Sequence, residues 1–471
     1  MELETIIGLE VHVQLNTKTK LFCNCDNDAF GAEPNTRVCP VCMAFPGQLP
    51  VLNKSALDKS VVAALALGCE IKPFSKFDRK NYFYPDLPSG YQISQFDQPV
   101  SENGKVSVEI NGKIREIGIT RAHIENDAGK LTHTTSGTLC DYNRAGTPLI
   151  EVVTDPDLRS PEEAQLFAKE IQKIVRCVGA SEADMEKGMM RFDASISLRP
   201  KGESKLYPRT EIKNLNSFTA LQKALNYELR RQTKLWKKND APSGDTTVGW
   251  LADKEITKLL RDKESAMDYR YFPEPDLPPM VFKANEIEKI KESLPELPLA
   301  KYLRYQSDLG LTAQEALKLS ETNLLSNFFE ESIVNKDSAR KIANLILEIV
   351  LADVKWQKTE ITSNHIKDIY KLQKGGTISS SAAKQIITEA MKTGKDSKQI
   401  MNDLGLEQKS DTGEIEKWVD DVMASNTEVV ADIKSGKKPK MIQFLMGQIM
   451  KESKGSANPQ LVVKMLKEKM K

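Results

Sequence analysis

The sequence predicts an α+β protein, with the β-rich half first and a helical half after it. Three observations carry that expectation. Five apolar segments in the first half carry charged residues at strand spacing: Ile6–Leu15, Ile117–Asp127, Pro148–Thr154, Met189–Arg199 and Thr210–Leu215. Residues i and i+2 of a strand share a face, so this spacing is a strand signature. Asn103-Gly104 and Asn111-Gly112 flank Val106–Ile110, and Asn-Gly is a strong hairpin signal. Prolines then cluster at 273, 275, 278, 279, 295 and 298, and beyond them the apolar spacing turns helical.

Ile6–Leu15 sets Glu10, His12 and Gln14 on one face and Leu9, Val11 and Val13 on the other. Lys54–Leu67 has helical spacing. The two Asn-Gly pairs predict an antiparallel meander of Gln92–Val100, Lys105–Ile110 and Lys113–Ile124. In Pro148–Thr154, Glu151 interrupts the apolar run Leu149, Ile150, Val152, Val153, where a free carboxylate would be costly. Pro161–Val178 opens as a helix with Ser160-Pro161-Glu162-Glu163, an N-cap, a first-turn proline and early acids. Met189–Arg199 sets Arg191 and Asp193 against Met190, Phe192 and Ala194, and Thr210–Leu215 carries Glu211 and Lys213. Phe218–Trp236, Ser338–Leu351 and Ser380–Met391 read as helices, with breaks at Gly375-Gly376 and Gly394-Lys395-Asp396. The expected division is a first domain over 1–290, a helical domain over 291–405 and a small basic tail over 406–471, with the second boundary near Leu404–Gly413. One echo, Tyr82–Pro88 against Tyr271–Pro278, is too short to establish duplication.

Charge is nearly balanced, 67 Lys plus Arg against 66 Asp plus Glu, so only its distribution is informative. Ile433–Lys471 holds ten lysines and two glutamates, a net +8, which suits helices with one buried and one phosphate-binding face. The start Met1-Glu2-Leu3-Glu4 lacks a basic leader region, and the longest apolar stretch, Val61–Cys69, is far short of a membrane span. Seven cysteines, four of them clustered, do not resemble a secreted disulfide framework. These features predict a soluble intracellular protein.

Cys23-x-Cys25 and Cys39-x-x-Cys42 form two thiol knuckles separated by thirteen residues. Tetrahedral zinc wants four soft ligands, and paired short spacings preorganise them. The reading is a small structural zinc ribbon, with no open position for catalysis. Cys69, Cys140 and Cys177 are expected in the core. Arg79 and Lys80, between Phe77 and Tyr82, are candidate phosphate contacts, with Tyr82 or Tyr91 stacking on a base. No P-loop or kinase signature occurs. Any ATP use therefore rests on carboxylate-held magnesium and basic side chains. The serines of Gly375–Ser381 read as helix caps, and nothing supplies a glutaminase nucleophile.

Charges alternating on a strand are most often a solvated face. Here Glu151 within an apolar run, and acids within strands at all, favour a site for a hard cation and a phosphate. His12 and His123, each two residues from Glu10 or Glu125, join it as candidate members.

Five longer motifs carry a family resemblance: Gly8–Leu15, Lys76–Pro88, Asp141–Glu151, Glu211–Phe218 and Asp268–Pro278. On these the chain resembles the B subunit of the aspartyl/glutamyl-tRNA amidotransferases, from its N-terminus to Gly447–Leu466. The resemblance implies a glutamine-synthetase-like antiparallel-sheet cradle, a helical domain and a small tRNA-binding tail. It implies one component of a glutamine-hydrolysing aminoacyl-tRNA amidotransferase of the bacterial cytoplasm or an organellar matrix. In that family ATP phosphorylates the side-chain carboxylate of glutamate or aspartate mischarged on tRNA(Gln) or tRNA(Asn). Ammonia from a partner amidase, the glutaminase of the complex, displaces the phosphate, and a small third protein clasps the pair. By the same resemblance His12, Glu125 and Glu151 are magnesium ligands, and Glu10, Asp193 and Glu211 are a second metal site or tunnel-mouth group. Arg79, Lys80 and Arg191 stand beside them as candidate phosphate contacts. A non-catalytic tRNA-binding or assembly role is the competing reading. The chain departs from the family pattern at Ser204–Arg209, across 228–267, and at Phe192, where cysteine is common.

Overall fold

In the computed structural model the chain forms two compact units, Met1–Leu299 and Ala300–Lys471. The structure describes residues 2–262, 269–408, 412–435, 437, 441–453 and 457–470. Asp268, residues 263–267 of the divergent stretch, residues 409–411 of the expected second boundary, and Lys438, Lys440, Lys454 and Lys471 of the basic tail lie outside the described residues.

The first unit is organised by a nine-stranded sheet. Its strands are β1 (Leu3–Gln14), β2 (Glu70–Ile71), β3 (Ser101–Ile110), β4 (Lys113–Asn126), β5 (Pro148–Thr154), β6 (Met190–Pro200), β7 (Thr210–Leu215), β8 (Thr246–Leu251) and β9 (Ile256–Asp262). Their spatial order is β9-β8-β7-β6-β1-β5-β4-β3-β2. All five segments expected as strands are found. The sheet is antiparallel, as expected, except that β7 and β8 run parallel. A helix, Phe218–Lys237, crosses between them, and a crossover of that length returns the chain in the same direction.

Three helices cover one face: α1 (Lys54–Ala66), α2 (Pro161–Cys177) and α3 (Phe218–Lys237). Each is capped as its sequence requires. The side chains of Asn53, Ser160 and Ser217 accept from backbone amides of the first turn. Leu9, Val11, Val13, Phe192, Ala194 and Ile196 of the sheet pack with Phe167, Ile171, Leu221 and Leu225 of the helices in one core. Phe192, the departure from the family pattern, lies in this core. The charged residues of the same strands are left on the opposite face.

The expected meander is half right. Asn111 and Gly112 have φ of 52° and 76°, and Ile110 pairs with Lys113, so they make the two-residue hairpin turn. Asn103-Gly104 makes no turn and lies inside β3. A Cβ on Gly104 would stand 2.4 Å from the Cys69 sulfur, so the glycine answers a close approach instead. The strand expected over Gln92–Val100 is only Tyr91–Ser94, and it belongs to a separate three-stranded sheet with Asp78–Asn81 and Phe272–Pro273. The second echoing segment pairs there with the residues just before the first: Phe272 with Arg79 and Pro273 with Asp78.

The second unit is helical, as its periodicity predicts. Ala339–Glu348 and Ser380–Thr393 match two expected helices. Its last helices enclose a small core of their own, including Ile415, Val419, Leu445, Ile449, Val462 and Leu466. Among the described residues no helix is long and apolar enough to cross a membrane.

Candidate functional site

Strand register assembles the polar face. His12 of β1 lies between Glu151 of β5 and Arg191 of β6, and Glu151 lies opposite His123 of β4. Directly opposed residues share a face, so four strands contribute to one transverse row. Glu10 faces Asp193 one step along, and Glu125 follows His123 by two residues on β4.

The row closes into a compact donor set. His12 Nε2 lies 3.5 Å from both Glu125 Oε1 and Glu151 Oε2, and the ligand atoms of these three residues all lie within 4.8 Å of one another. Adjacent oxygen or nitrogen ligands on a hard cation at 2.1–2.4 Å stand ~3.0–3.4 Å apart, so the set fits such an ion after small adjustments. His123 Nε2 sits 3.3 Å from Glu151 Oε2, while its buried Nδ1 has no hydrogen-bond partner. Burial alone would lower the His12 pKa, but Glu151 and Glu125 reverse that and push it up to about 9. Burial would raise the Glu151 carboxyl; His123 and His12 instead hold it well below the usual range.

The second acidic group, Glu10, Asp193 and Glu211, also converges within 4.8 Å. A cation of the chain itself stands among them, since Lys213 Nζ is 3.0 Å from Asp193 Oδ2 and 2.8 Å from Glu211 Oε1. Burial first, then Glu151, Asp193 and Glu211, raise the Glu10 pKa. A cavity of about 320 Å³ reaches Glu10, and Tyr207 and Arg209 of the departing segment line it.

Of the three basic residues singled out from the sequence, two face the carboxylates. Lys80 lies 5.0 Å from the Tyr269 ring centroid. Burial would lower its pKa, but Glu125 leads the groups that raise it. Arg191 donates to Asp127 Oδ1 at 2.9 Å. Arg79 does not join them. Neighbouring residues of a strand point to opposite sides, and Arg79 is bound to Glu274 at 2.7 and 2.9 Å and to Asp276 at 3.2 Å, over the Tyr91 ring. Its guanidinium is paired with a buried carboxylate, and the structure does not bring it together with the carboxylate row. Sequence reading missed Asp127, which follows Glu125 by two residues and receives both Arg191 and Arg144; continuing the alternation one step would have found it. Glu274 carried no signal of its own, whereas Lys213 showed in the sequence only as a charge at strand spacing beside Glu211.

The four cysteines 23, 25, 39 and 42 come together as expected, with their sulfurs within 4.8 Å of one another and Cys25 to Cys42 at 4.0 Å. A tetrahedral zinc–thiolate site has sulfur–sulfur edges of ~3.8 Å, so this group fits the ion. The Cys23 thiol and other neighbours, Lys20 among them, pull the Cys42 thiol down to about 5. Cys69 and Cys177 are buried, whereas Cys140 is only half-buried.

The first unit is a two-layer α/β domain whose charged sheet face carries two convergent donor sets, with four cysteines grouped apart from them, and comparison with known proteins places it. Residues 5–288 match the family model described as the GatB/GatE catalytic domain, and residues 327–470 match the GatB domain. Proteins named as the B subunit of aspartyl/glutamyl-tRNA(Asn/Gln) amidotransferase are similar along the whole chain. That of Carboxydothermus hydrogenoformans is 46% identical, covering 100% of this chain and 99% of its own. Those of Persephonella marina and Shouchella clausii are each 47% identical, covering 100% of this chain and 100% and 99% of theirs. The chain belongs to this family of amidotransferase B subunits.

Proposed function

We propose that this chain is the synthetase component of a tRNA-dependent amidotransferase, converting Glu-tRNA(Gln), Asp-tRNA(Asn) or both into the amide. The observation that carries the reading is the convergence of His12, Glu125 and Glu151 from three strands onto one point of the polar face, in a chain similar to such proteins end to end. The reaction transfers the γ-phosphoryl group of ATP to the side-chain carboxylate, releasing ADP. Ammonia then attacks the acyl carbon and phosphate departs.

His12, Glu125 and Glu151 would hold magnesium, which when bound neutralises triphosphate charge during phosphoryl transfer. Lys80 and Arg191 flank the carboxylates and counter the charge of the phosphoryl group and ADP. Asp127 holds the Arg191 guanidinium in place. Lys213 already supplies a cation between Asp193 and Glu211, so that group serves as the mouth for incoming ammonia in preference to a second metal. Glu10, with its raised proton affinity, takes the proton that ammonium sheds before it attacks. Ammonia comes from the partner amidase, with the small third protein of the complex holding the pair. The exposed Lys451, Lys464 and Lys467 of the tail contact tRNA phosphates, as a domain over 406–471 distinct from 291–405. The structural zinc belongs to the four cysteines.

The test replaces Glu125→Gln or Glu151→Gln in the reconstituted complex, supplied with mischarged tRNA, ATP and glutamine. ATP-dependent amidation falls at least about 100-fold while glutamine hydrolysis persists. Unchanged amidation overturns the proposal and favours a binding or assembly role.

A further inference from the structure

Lys20 stands out among the described cations of the first unit. It is 0% exposed, and lysines are almost never fully buried without a partner. Its Nζ has two partners: the Cys42 sulfur at 3.7 Å and the Tyr142 carbonyl oxygen at 3.3 Å. The first belongs to the thiol knuckle and the second to the loop 141–147, which leads into β5.

The two segments are zipped together around this lysine. Leu21 N donates to Gly146 O at 2.9 Å. Asn35 N donates to the Asp141 carboxylate at 3.1 Å, and Asn35 Oδ1 accepts from Tyr142 N at 2.8 Å. Arg37 N donates to Asn143 Oδ1 at 2.7 Å, while Asn143 Nδ2 donates to Glu33 O at 2.7 Å. Gly146 has φ 88°, and a Cβ there would come within 3.4 Å of the lysine stem, so the loop closes directly over Lys20.

The same loop supports the catalytic row. Gly146 N donates to Asp127 O at 2.9 Å, and Asp127 N donates to Thr147 O at 2.8 Å. Arg144 Nε lies 3.3 Å from Asp127 Oδ2, and Asp127 in turn binds Arg191, the neighbour of His12 in the sheet. Four thiolates around a divalent metal carry a net charge of about −2. Leaving that charge uncompensated in a half-buried site is unfavourable, and the Lys20 ammonium is placed to reduce it.

We propose that Lys20 is the counter-charge of the thiolate knuckle and the tie through which a metal there holds loop 141–147, and with it the Asp127–Arg191 pair. Lys20 is thus a positioning residue. The inference stands apart from the amidation reading, because its readouts need neither ATP nor tRNA.

The experiment uses the full-length chain and Lys20→Met, which keeps the stem and removes the charge. Zinc affinity is measured by chelator competition, and the thiolate-to-metal charge-transfer band is recorded after loading with cobalt(II). Lys20→Met releases zinc at a chelator concentration at least about tenfold lower, and its band moves to lower energy because the thiolate has lost a neighbouring positive charge. A lysine that only fills space would move neither. Equal zinc affinity in the two proteins overturns the proposal. Should Lys20→Met not fold, amide hydrogen exchange on the natural chain decides. Stripping zinc raises exchange in 141–147 at least about tenfold while β1 and β6 stay protected; a loop that stays protected without metal overturns the tie.

Discussion

The catalytic sheet and the helical tail bury their apolar residues by the same rule, yet they leave opposite kinds of surface. In the sheet, His12 meets residues more than a hundred positions away in one row, and the ligand atoms of His12, Glu125 and Glu151 all lie within 4.8 Å of one another. In the tail, Lys451, Lys464 and Lys467 stay exposed around the small core of Leu445, Ile449 and Leu466. A sheet concentrates distant residues through register, whereas a helix joins only neighbours three or four positions apart. Concentrated charge makes a site that perturbs proton affinities. Dispersed charge makes a surface whose effect is roughly additive.

That contrast sets the scale of the expected effects. Losing one carboxylate, as in Glu125→Gln, should be the largest, because no neighbour replaces it. Next comes pH. The His12 pKa is raised from 6.5 to about 9 in the metal-free fold, so its contribution to stability is complete below about 6.5 and is lost as pH rises through about 9. A histidine must be deprotonated to the neutral imidazole to hold a metal. Magnesium affinity at the sheet should therefore climb between pH 7 and pH 9, by up to about tenfold per unit, and level off above. Calorimetric titration with magnesium across that range checks this, and a flat profile breaks the link between His12 and the ion.

Ile449→Ala, at a fully buried position, should destabilise the tail by about 2–4 kcal/mol and leave magnesium binding by the sheet unchanged. Denaturant unfolding, followed alongside the titration, separates the two regions; joint loss of both would erase the contrast. The smallest effect belongs to Lys464→Gln with Lys467→Gln. Each lost phosphate contact should lower the salt dependence of tRNA binding by about 0.7–0.9 in slope, with no change in its sequence preference. An unaltered slope removes the tail from the tRNA surface.

Alternation and capping made much of the fold legible. Glu10 and His12 were assigned to one face because Leu9, Val11 and Val13 had to fill the core, and Ser160-Pro161 marked the start of α2. What escaped depends on contacts between distant segments. Asn103-Gly104 has the composition of a turn, but Cys69 demands the glycine within a strand. Arg79 and Lys80 look alike in sequence, and their surroundings differ through Glu274 and Asp276, nearly two hundred residues away. Lys213 reaches Asp193 on the neighbouring strand as well as Glu211, a contact that strand spacing alone does not reveal. Lys20 carries no local signal, since its burial is created by the thiol loop and residues 142–146 closing over it.

The central claim is that an imidazole and two carboxylates from three different strands grip one divalent cation on the polar face. Manganese(II), bound in place of magnesium with ADP, reports its ligands by pulsed electron paramagnetic resonance. The account predicts nitrogen hyperfine coupling from a directly bound imidazole in the natural chain, and its disappearance in His12→Ala. A manganese spectrum without nitrogen coupling, or one unchanged by His12→Ala, would contradict it.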